Sequence, residues 1–139
     1  MIRWLRYGVV LLSGLVLTAC ASATQARLSE EFDVSVKSYN RMLRWHEIEN
    51  AGMTYIDPEL RDEYLKQAES LKKRGLTFAD FRILTSNYRS EKKSGDVIAE
   101  FDYYIMPSNK IKSISYHQDW VYQESSKRWM LKTGLPLFE

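Results

Sequence analysis

Cysteine is almost absent from this 139-residue chain, and Cys20 is the single one. No disulfide can therefore form within the chain, and no cysteine-based metal site can be built. Histidine is nearly as scarce, with His46 and His117 alone. Two histidines so far apart make no convincing metal site, so neither metal nor cofactor is expected. There is no glycine-rich phosphate loop, and the Gly-x-Ser-x-Gly elbow of serine hydrolases is missing. No internal repeat and no low-complexity tract interrupts the chain. A dominant charge sign is missing too, since 20 basic residues face 18 acidic ones. Without a global positive field, nucleic acid is not an expected partner. What is present is apolar and aromatic: 45% and 13% of residues, a composition that favours a packed core over disorder.

The first residues read as an export signal. Arg3 and Arg6 precede an uncharged, mostly apolar run over residues 8–17, broken by Ser13 and Gly14. That run is too short to cross a bilayer, which takes about 20 residues. A basic stretch followed by a short apolar stretch is the form of a secretory signal. It ends Leu17-Thr18-Ala19-Cys20, which resembles the lipobox of bacterial lipoproteins. The resemblance implies cleavage before Cys20, diacylglycerol on its sulfur and acylation of its new amino group. Two or more acyl chains anchor stably where one is marginal. With Ala21 rather than aspartate after the cysteine, it further implies the periplasmic face of the outer membrane in a two-membrane host. The alternatives are an ordinary signal peptide ending in a chance cysteine, or an uncleaved membrane helix.

Removing residues 1–19 leaves 120 of 139 residues, and losing Arg3 and Arg6 leaves 18 basic against 18 acidic. The sequence pI of 8.6 thus owes part of its value to the signal segment. One domain of this size can be held by its core without a disulfide. Residues 20–28 are expected as a lipidated cysteine and flexible tether, and 29–139 as a single domain.

Two helices open that domain. Ser29 is a candidate cap, with Glu30, Glu31 and Asp33 in the first turn, where the helix dipole favours acids. Phe32, Val36, Tyr39, Leu43 and His46 follow at helical spacing, widened by Met42 and Trp45, and Gly52 is the expected stop. Residues 53–56 read as a short turn of helix or an irregular corner. Asp57 and Pro58 then mark the start of a second helix, with Leu60, Tyr64, Ala68 and Leu71 on its apolar face. Asp62/Lys66 and Glu69/Lys73 are acid-first pairs four residues apart. Lys72, Lys73 and Arg74 precede Gly75. They read as compensation of the helix dipole in preference to a phosphate or anionic-lipid patch.

Beyond Gly75 the pattern becomes that of strands. Residues 78–90, 97–106, 110–124 and 129–133 are the expected strands, with turns at 92–96, 107–109 and 123–127. The third is long enough to carry a bend or bulge. Short turns favour neighbouring antiparallel strands, and helices followed by a meander give an α+β fold with a sheet of about four strands. Val97, Ala99, Phe101, Tyr103 and Ile105 should share one face, and Ile114, Tyr116, Gln118, Trp120 and Tyr122 another. Glu100, Asp102, Ser113, Ser115, His117 and Asp119 should lie on the wetter side.

This order of elements resembles the nuclear transport factor 2-like (cystatin-like) cone fold. The carrying residues are Arg44-Trp45-His46-Glu47, Tyr55-Ile56-Asp57-Pro58 and Asp102-Tyr103-Tyr104. Trp120 and the closing stretch from Trp129 to Leu135-Pro136 also fit, so that the likeness spans residues 30–138. It implies a curved sheet wrapped around the helices, with a cavity at the open end of the cone. Such cavities are enzyme sites in some members and protein-binding surfaces in others, so fold does not select function.

The chemistry-bearing residues are few. His117 and Asp119 are two apart on a strand, with Glu100 or Asp102 within reach across a hairpin, and a carboxylate beside a histidine is the minimum for acid–base work. Their preferred reading is as solvated polar-face residues. His46 reads as a hydrogen-bonded core histidine. Tyr103, Tyr104, Tyr116, Trp120 and Tyr122 suit either an apolar ligand pocket or a half-buried sheet, and the second is preferred. The expected function is a non-enzymatic binding or assembly module tethered to the cell envelope by lipid, its partner an envelope protein or a small apolar ligand. The alternative is a small-molecule isomerase or dehydratase, which requires His117, Asp119 or Asp102 to face the cone cavity.

Overall fold

The computed structural model describes the backbone of residues 2–139 and the side chains of residues 19–139. Arg3, Arg6 and the apolar run behind the signal-peptide reading lie outside the described side chains. Among the described residues, no helix is long and apolar enough to cross a membrane. The elements are α1 (Ile2–Arg44), α2 (Ile48–Tyr55), α3 (Arg61–Lys73), then β1 (Leu76–Arg89), β2 (Ser94–Ile105), β3 (Lys112–Gln123) and β4 (Arg128–Leu131). The strands form one open antiparallel sheet in the order β1-β2-β3-β4. The fold is α+β, helices first and a four-stranded meander after them.

Ser29 does not start a helix; it is an interior position of α1. Residues 20–28 are helical rather than irregular, and every residue from 19 to 27 is exposed. Ala21, Ala23, Ala26, Gln25 and Arg27 are strong helix formers, which outweighs the small, polar look of the stretch. Ser22 and Thr24 turn their hydroxyls back to Ala19 O (3.1 Å) and Cys20 O (3.0 Å), as hydroxyls do within helices. Leu28 is the first residue to enter the core, and Trp129 Nε1 donates to its carbonyl at 3.2 Å.

α1 ends earlier than expected. His46 adopts a left-handed conformation with φ 66°. Its N–H donates to Leu43 O (3.1 Å), and Glu47 N–H donates to Met42 O (2.9 Å). These two bonds form a Schellman stop. Gly52 is instead inside α2, where a Cβ would lie 2.3 Å from Tyr64 Cε1; its missing side chain lets α3 pack close. α3 begins three residues beyond Pro58. Asp57 still organises the approach, accepting from Glu59 N–H at 3.0 Å through its side chain.

The turn expected around Ser94-Gly95-Asp96 is displaced. Those residues already belong to β2, and the turn occupies residues 90–93, with Lys93 at φ 45°. Gly95 serves close approach, because a Cβ there would lie 2.4 Å from Phe32 Cζ on α1. β3 pairs with β2 in continuous register, so its length is not taken up by a bulge against β2. The register shifts fall in the edge strand β1, between Phe78 and Asp80 and between Ile83 and Thr85. Bulges on an edge strand discourage pairing with a further strand.

α1 runs antiparallel to β1 across the inner face. Phe32 packs near Tyr88 at one end (5.9 Å between rings), and Arg44 donates to Phe78 O (3.1 Å) at the other. The predicted face of β2 is the inner one, with Val97, Ala99, Phe101 and Tyr103 buried. In β3 the inner face holds Tyr116, Gln118, Trp120 and Tyr122. The closing segment folds back over the sheet. Phe138 seats against Phe78 (5.5 Å) and Tyr103 (5.0 Å).

Candidate binding surfaces

The inner face is filled. Tyr103, Tyr116 and Trp120, the candidate ligand-binding residues, are all buried in the packed core. Trp120 meets Tyr39 and Tyr55 edge-on, at 5.8 and 5.9 Å. Neither surface groove described below is lined by any of the three.

Two polar clusters in this core are hydrogen-bonded. Tyr64 Oη donates to Ile48 O (3.1 Å) and Tyr39 Oη donates to Tyr64 Oη (3.3 Å). With the Tyr39 proton so used, Tyr116 must be the donor in the 2.9 Å contact with Tyr39. Burial pushes all three hydroxyls up from their ordinary range, so the relay stays neutral and protonated. Gln118 and Asn40 exchange side-chain bonds, Nε2 to Oδ1 at 2.7 Å and Nδ2 to Oε1 at 3.2 Å. Asn40 also donates to Val36 O (2.8 Å), and Trp120 Nε1 to Gln118 Oε1 (3.3 Å). Gln118, the one polar residue on the predicted apolar side of β3, thus finds its partner on α1.

The outer face carries the candidate acid–base residues. His117 and Asp119 are exposed, and no hydrogen bond or ion pair joins them among the described contacts. His117 stands opposite Ile98, Asp119 opposite Asp96, and Asp102 opposite Ser113. Asp102 is therefore four residues along the sheet from the His117 row, about 13 Å at strand spacing. Arg82 takes both acids that might have approached His117. It bonds Glu100 through Nε at 2.7 Å and Asp102 through Nη1 at 3.1 Å. The Ser113 hydroxyl, at 2.5 Å, and then Arg82 hold the Asp102 carboxyl below its usual range. Nearby, Arg89 and Asn87 bind Asp96. The outer face is a set of ion pairs across strands, and the requirement that His117, Asp119 or Asp102 face an enclosed space is not met. Among the described residues, no cluster of three or more His, Cys, Asp or Glu could hold a metal.

His46 is exposed at the α1 stop, not in the core. Trp45 is also turned outward, 64% exposed, with the Arg44 guanidinium 5.3 Å from its ring centre. Beside His46 is a shallow groove of about 200 Å³ floored by Ile48 and Leu76, with the Glu49–Lys72 ion pair (3.6 Å) on its rim. Lys73 pairs with Glu69 at 2.9 Å, and Arg74 donates to Phe138 O at 3.0 Å. The three basic residues at the end of α3 thus each have a different local partner, and they do not form one phosphate site.

Sequence reasoning missed the far end of the domain, beyond the β2–β3 turn. Met106, Ile111 and Leu137 are 57%, 60% and 81% exposed there. A usable signal was available: apolar residues flanking Pro107 and Pro136, in segments too short to bury both sides.

Cys20 is exposed on α1, eight residues before the core begins at Leu28. No protein-family model matches the chain. No curated protein matches it either. Among solved structures, it is similar to the intermembrane space region of the chloroplast protein ARC6. The two share 12% identity over 76% of this chain and 97% of the other, with a TM-score of 0.49.

Proposed function

We propose that the chain is an exported cell-envelope lipoprotein, anchored through lipid on Cys20, whose domain is a non-enzymatic binding or assembly module. The observation that carries this reading is the position of Cys20. It follows Leu17-Thr18-Ala19 and sits exposed, with no core residue between it and Leu28. Acyl chains on its sulfur would enter a bilayer without disturbing the packing of the domain. If helical in the mature protein, the intervening eight residues rise about 12 Å, so the domain stands close to the membrane. The residue after the cysteine, Ala21, supports the periplasmic face of the outer membrane in a two-membrane host. The cone-like fold, with its curved sheet, is the preferred reading of the meander, supported by the element order and by the seating of α1 across the inner face. A binding role is supported by the filled core and the ion-paired outer face, which leave surfaces as the means of recognition.

The test is labelled palmitate incorporation and membrane fractionation of the wild type and of Cys20→Ser. The wild type should take up label and stay with membranes after high-salt and carbonate washing. Cys20→Ser should do neither while keeping its circular dichroism spectrum. A Cys20→Ser protein still held by washed membranes would sink the lipid anchor.

A further inference from the structure

The chain leaves the ladder of the sheet soon after β4. The last backbone-to-backbone hydrogen bond along it is Lys132 N–H to Asp119 O, at 2.7 Å. Among the described residues, no backbone N–H of residues 134–139 donates a hydrogen bond. Yet Leu135 and Phe138 are buried in the core, while Leu137 beside Phe138 stands in solvent. The stretch is an irregular strap laid over the domain, fastened by side chains.

Phe138 is its plug. The ring stands edge-on to Phe78 (5.5 Å) and to Tyr103 (5.0 Å), and Phe101 lies 5.0 Å from Phe78. Three donors hold the strap through two carbonyls. Arg74 donates to Phe138 O at 3.0 Å, while Tyr103 Oη (3.1 Å) and Lys112 Nζ (2.8 Å) donate to Glu139 O. Arg74 and Lys112 are exposed, so water competes for their bonds. The fit along α3 is incomplete. A groove of about 140 Å³ runs between α3 and Pro136, Leu137 and Phe138. Gln67 Oε1, buried beside Gly134, has no hydrogen-bond partner among the described residues. A segment with few backbone bonds and an unmet acceptor beneath it is drawn from the low end of local stability. β2 and β3 below are paired with each other in continuous register and need none of the strap's bonds.

We propose that residues 134–139 are a displaceable strap, which lifts without unfolding the sheet and uncovers an aromatic socket between Phe78 and Tyr103. The class of ligand follows from what fills the socket now: a single aromatic ring, held edge-on by two others. Such a ligand competes with Phe138, so its apparent affinity is set by the fraction of open strap. The strap operates whether or not Cys20 carries lipid.

The test is thiol labelling by iodoacetamide in the full chain carrying Cys20→Ser. Leu135→Cys reports on the strap. Val97→Cys, buried about 20 Å along β2 from Tyr103 at strand spacing, reports on the rest of the core. Leu135→Cys should label at least roughly tenfold faster than its own unfolding in urea allows, with little dependence on urea, while Val97→Cys should track unfolding. Toluene, the side-chain analogue of Phe138, should raise Leu135→Cys labelling about twofold or more and leave Val97→Cys unchanged. Arg74→Gln/Lys112→Gln, which frees two of the three bonds, should raise Leu135→Cys labelling roughly tenfold. Leu135→Cys labelling that tracks global unfolding overturns the strap. Labelling indifferent to toluene overturns the socket. Should Leu135→Cys fail to fold, toluene titration of the unsubstituted chain decides: the Leu135 and Leu137 methyl resonances should shift and those of Val97 should not, and unmoved leucine signals overturn the proposal.

Discussion

The two faces of the sheet are made by alternate residues of the same strands, yet they obey different rules. Along β3, Tyr116, Gln118 and Trp120 point into the interior, where Tyr116 meets Tyr39, Gln118 meets Asn40 and Trp120 Nε1 donates to Gln118. Ser115, His117 and Asp119, one residue away in each case, face water. On that side Arg82 binds Glu100 and Asp102 in competition with solvent. Burial makes each inner contact consequential, and exposure makes each outer one weak. Along the sheet, the space-filling groups lie inside and the titratable ones in solvent.

The largest effect that would test this contrast is the loss of Trp120. Trp120→Ala should cost about 3–5 kcal/mol in urea unfolding, as large-to-small changes at filled aromatic sites do. His117→Ala, three residues away on the same strand, should stay within about 0.5 kcal/mol. Equal costs for the two would mean that the faces are not as different as their burial.

Next in size is the polar part of the core. Gln118→Leu leaves Asn40 and Trp120 Nε1 short of partners, and Tyr39→Phe breaks the tyrosine relay at its middle. Each should cost about 1–3 kcal/mol. The double variant Asn40→Leu/Gln118→Leu should recover part of the Gln118 loss, because no amide is then left unpaired; a merely additive result would argue that the pair is not coupled.

Asp57 sharpens the comparison from the boundary between core and solvent. Its side chain is buried, and Lys132 Nζ lies 2.7 Å from Oδ2. The Lys132 bond holds the carboxyl below its usual range, and the Asp57 bond holds the Lys132 ammonium above its own. A carboxyl that ionises more readily when folded stabilises above its unfolded value, about 3.9, and loses that contribution as pH falls through the folded value. The ammonium contributes below about 10.4 and loses its share as pH rises through its raised folded value. The stability gap between wild type and Asp57→Asn should thus be flat from about pH 5 to 9 and narrow below about pH 4. A gap that persists undiminished in acid would show that packing, not charge, sustains it.

The smallest effect is expected on the outer face itself. Arg82→Ala removes contacts to two acids, but all three groups are solvated, so thermal denaturation should register the least change of the series, shrinking further with added salt.

Much of the fold was legible in the residues because periodicity reports burial directly. Phe32, Val36, Tyr39 and Leu43 recur at helical spacing, and Val97, Ala99, Phe101 and Tyr103 alternate, so both sets lie in the core as their patterns require. The α+β order and the antiparallel meander followed from the turns. The misreadings came where a residue has two uses. Gly52 and Gly95 read as a stop and a turn, but each is a contact point, one for Tyr64 and the other for Phe32. His46 continued an apolar stripe in the sequence, while the chain reverses there through a left-handed residue that leaves it exposed. Ser29 looked like a cap because nothing local revealed that the alanine-rich stretch before it is helical as well.

By itself, the sequence determined the class of fold, the inner and outer faces of the strands and the uniqueness of Cys20, because composition and period are properties of the chain alone. Only the tertiary structure decided that the inner face is filled, that Arg82 captures the acids facing His117's neighbourhood, and that Leu137 shares a groove with Arg74 and Gln67. Those outcomes depend on strand register, on the crossing of α1 over the sheet and on the return of the closing segment. They join residues as far apart as Gln67 and Leu137, and no local pattern encodes that proximity.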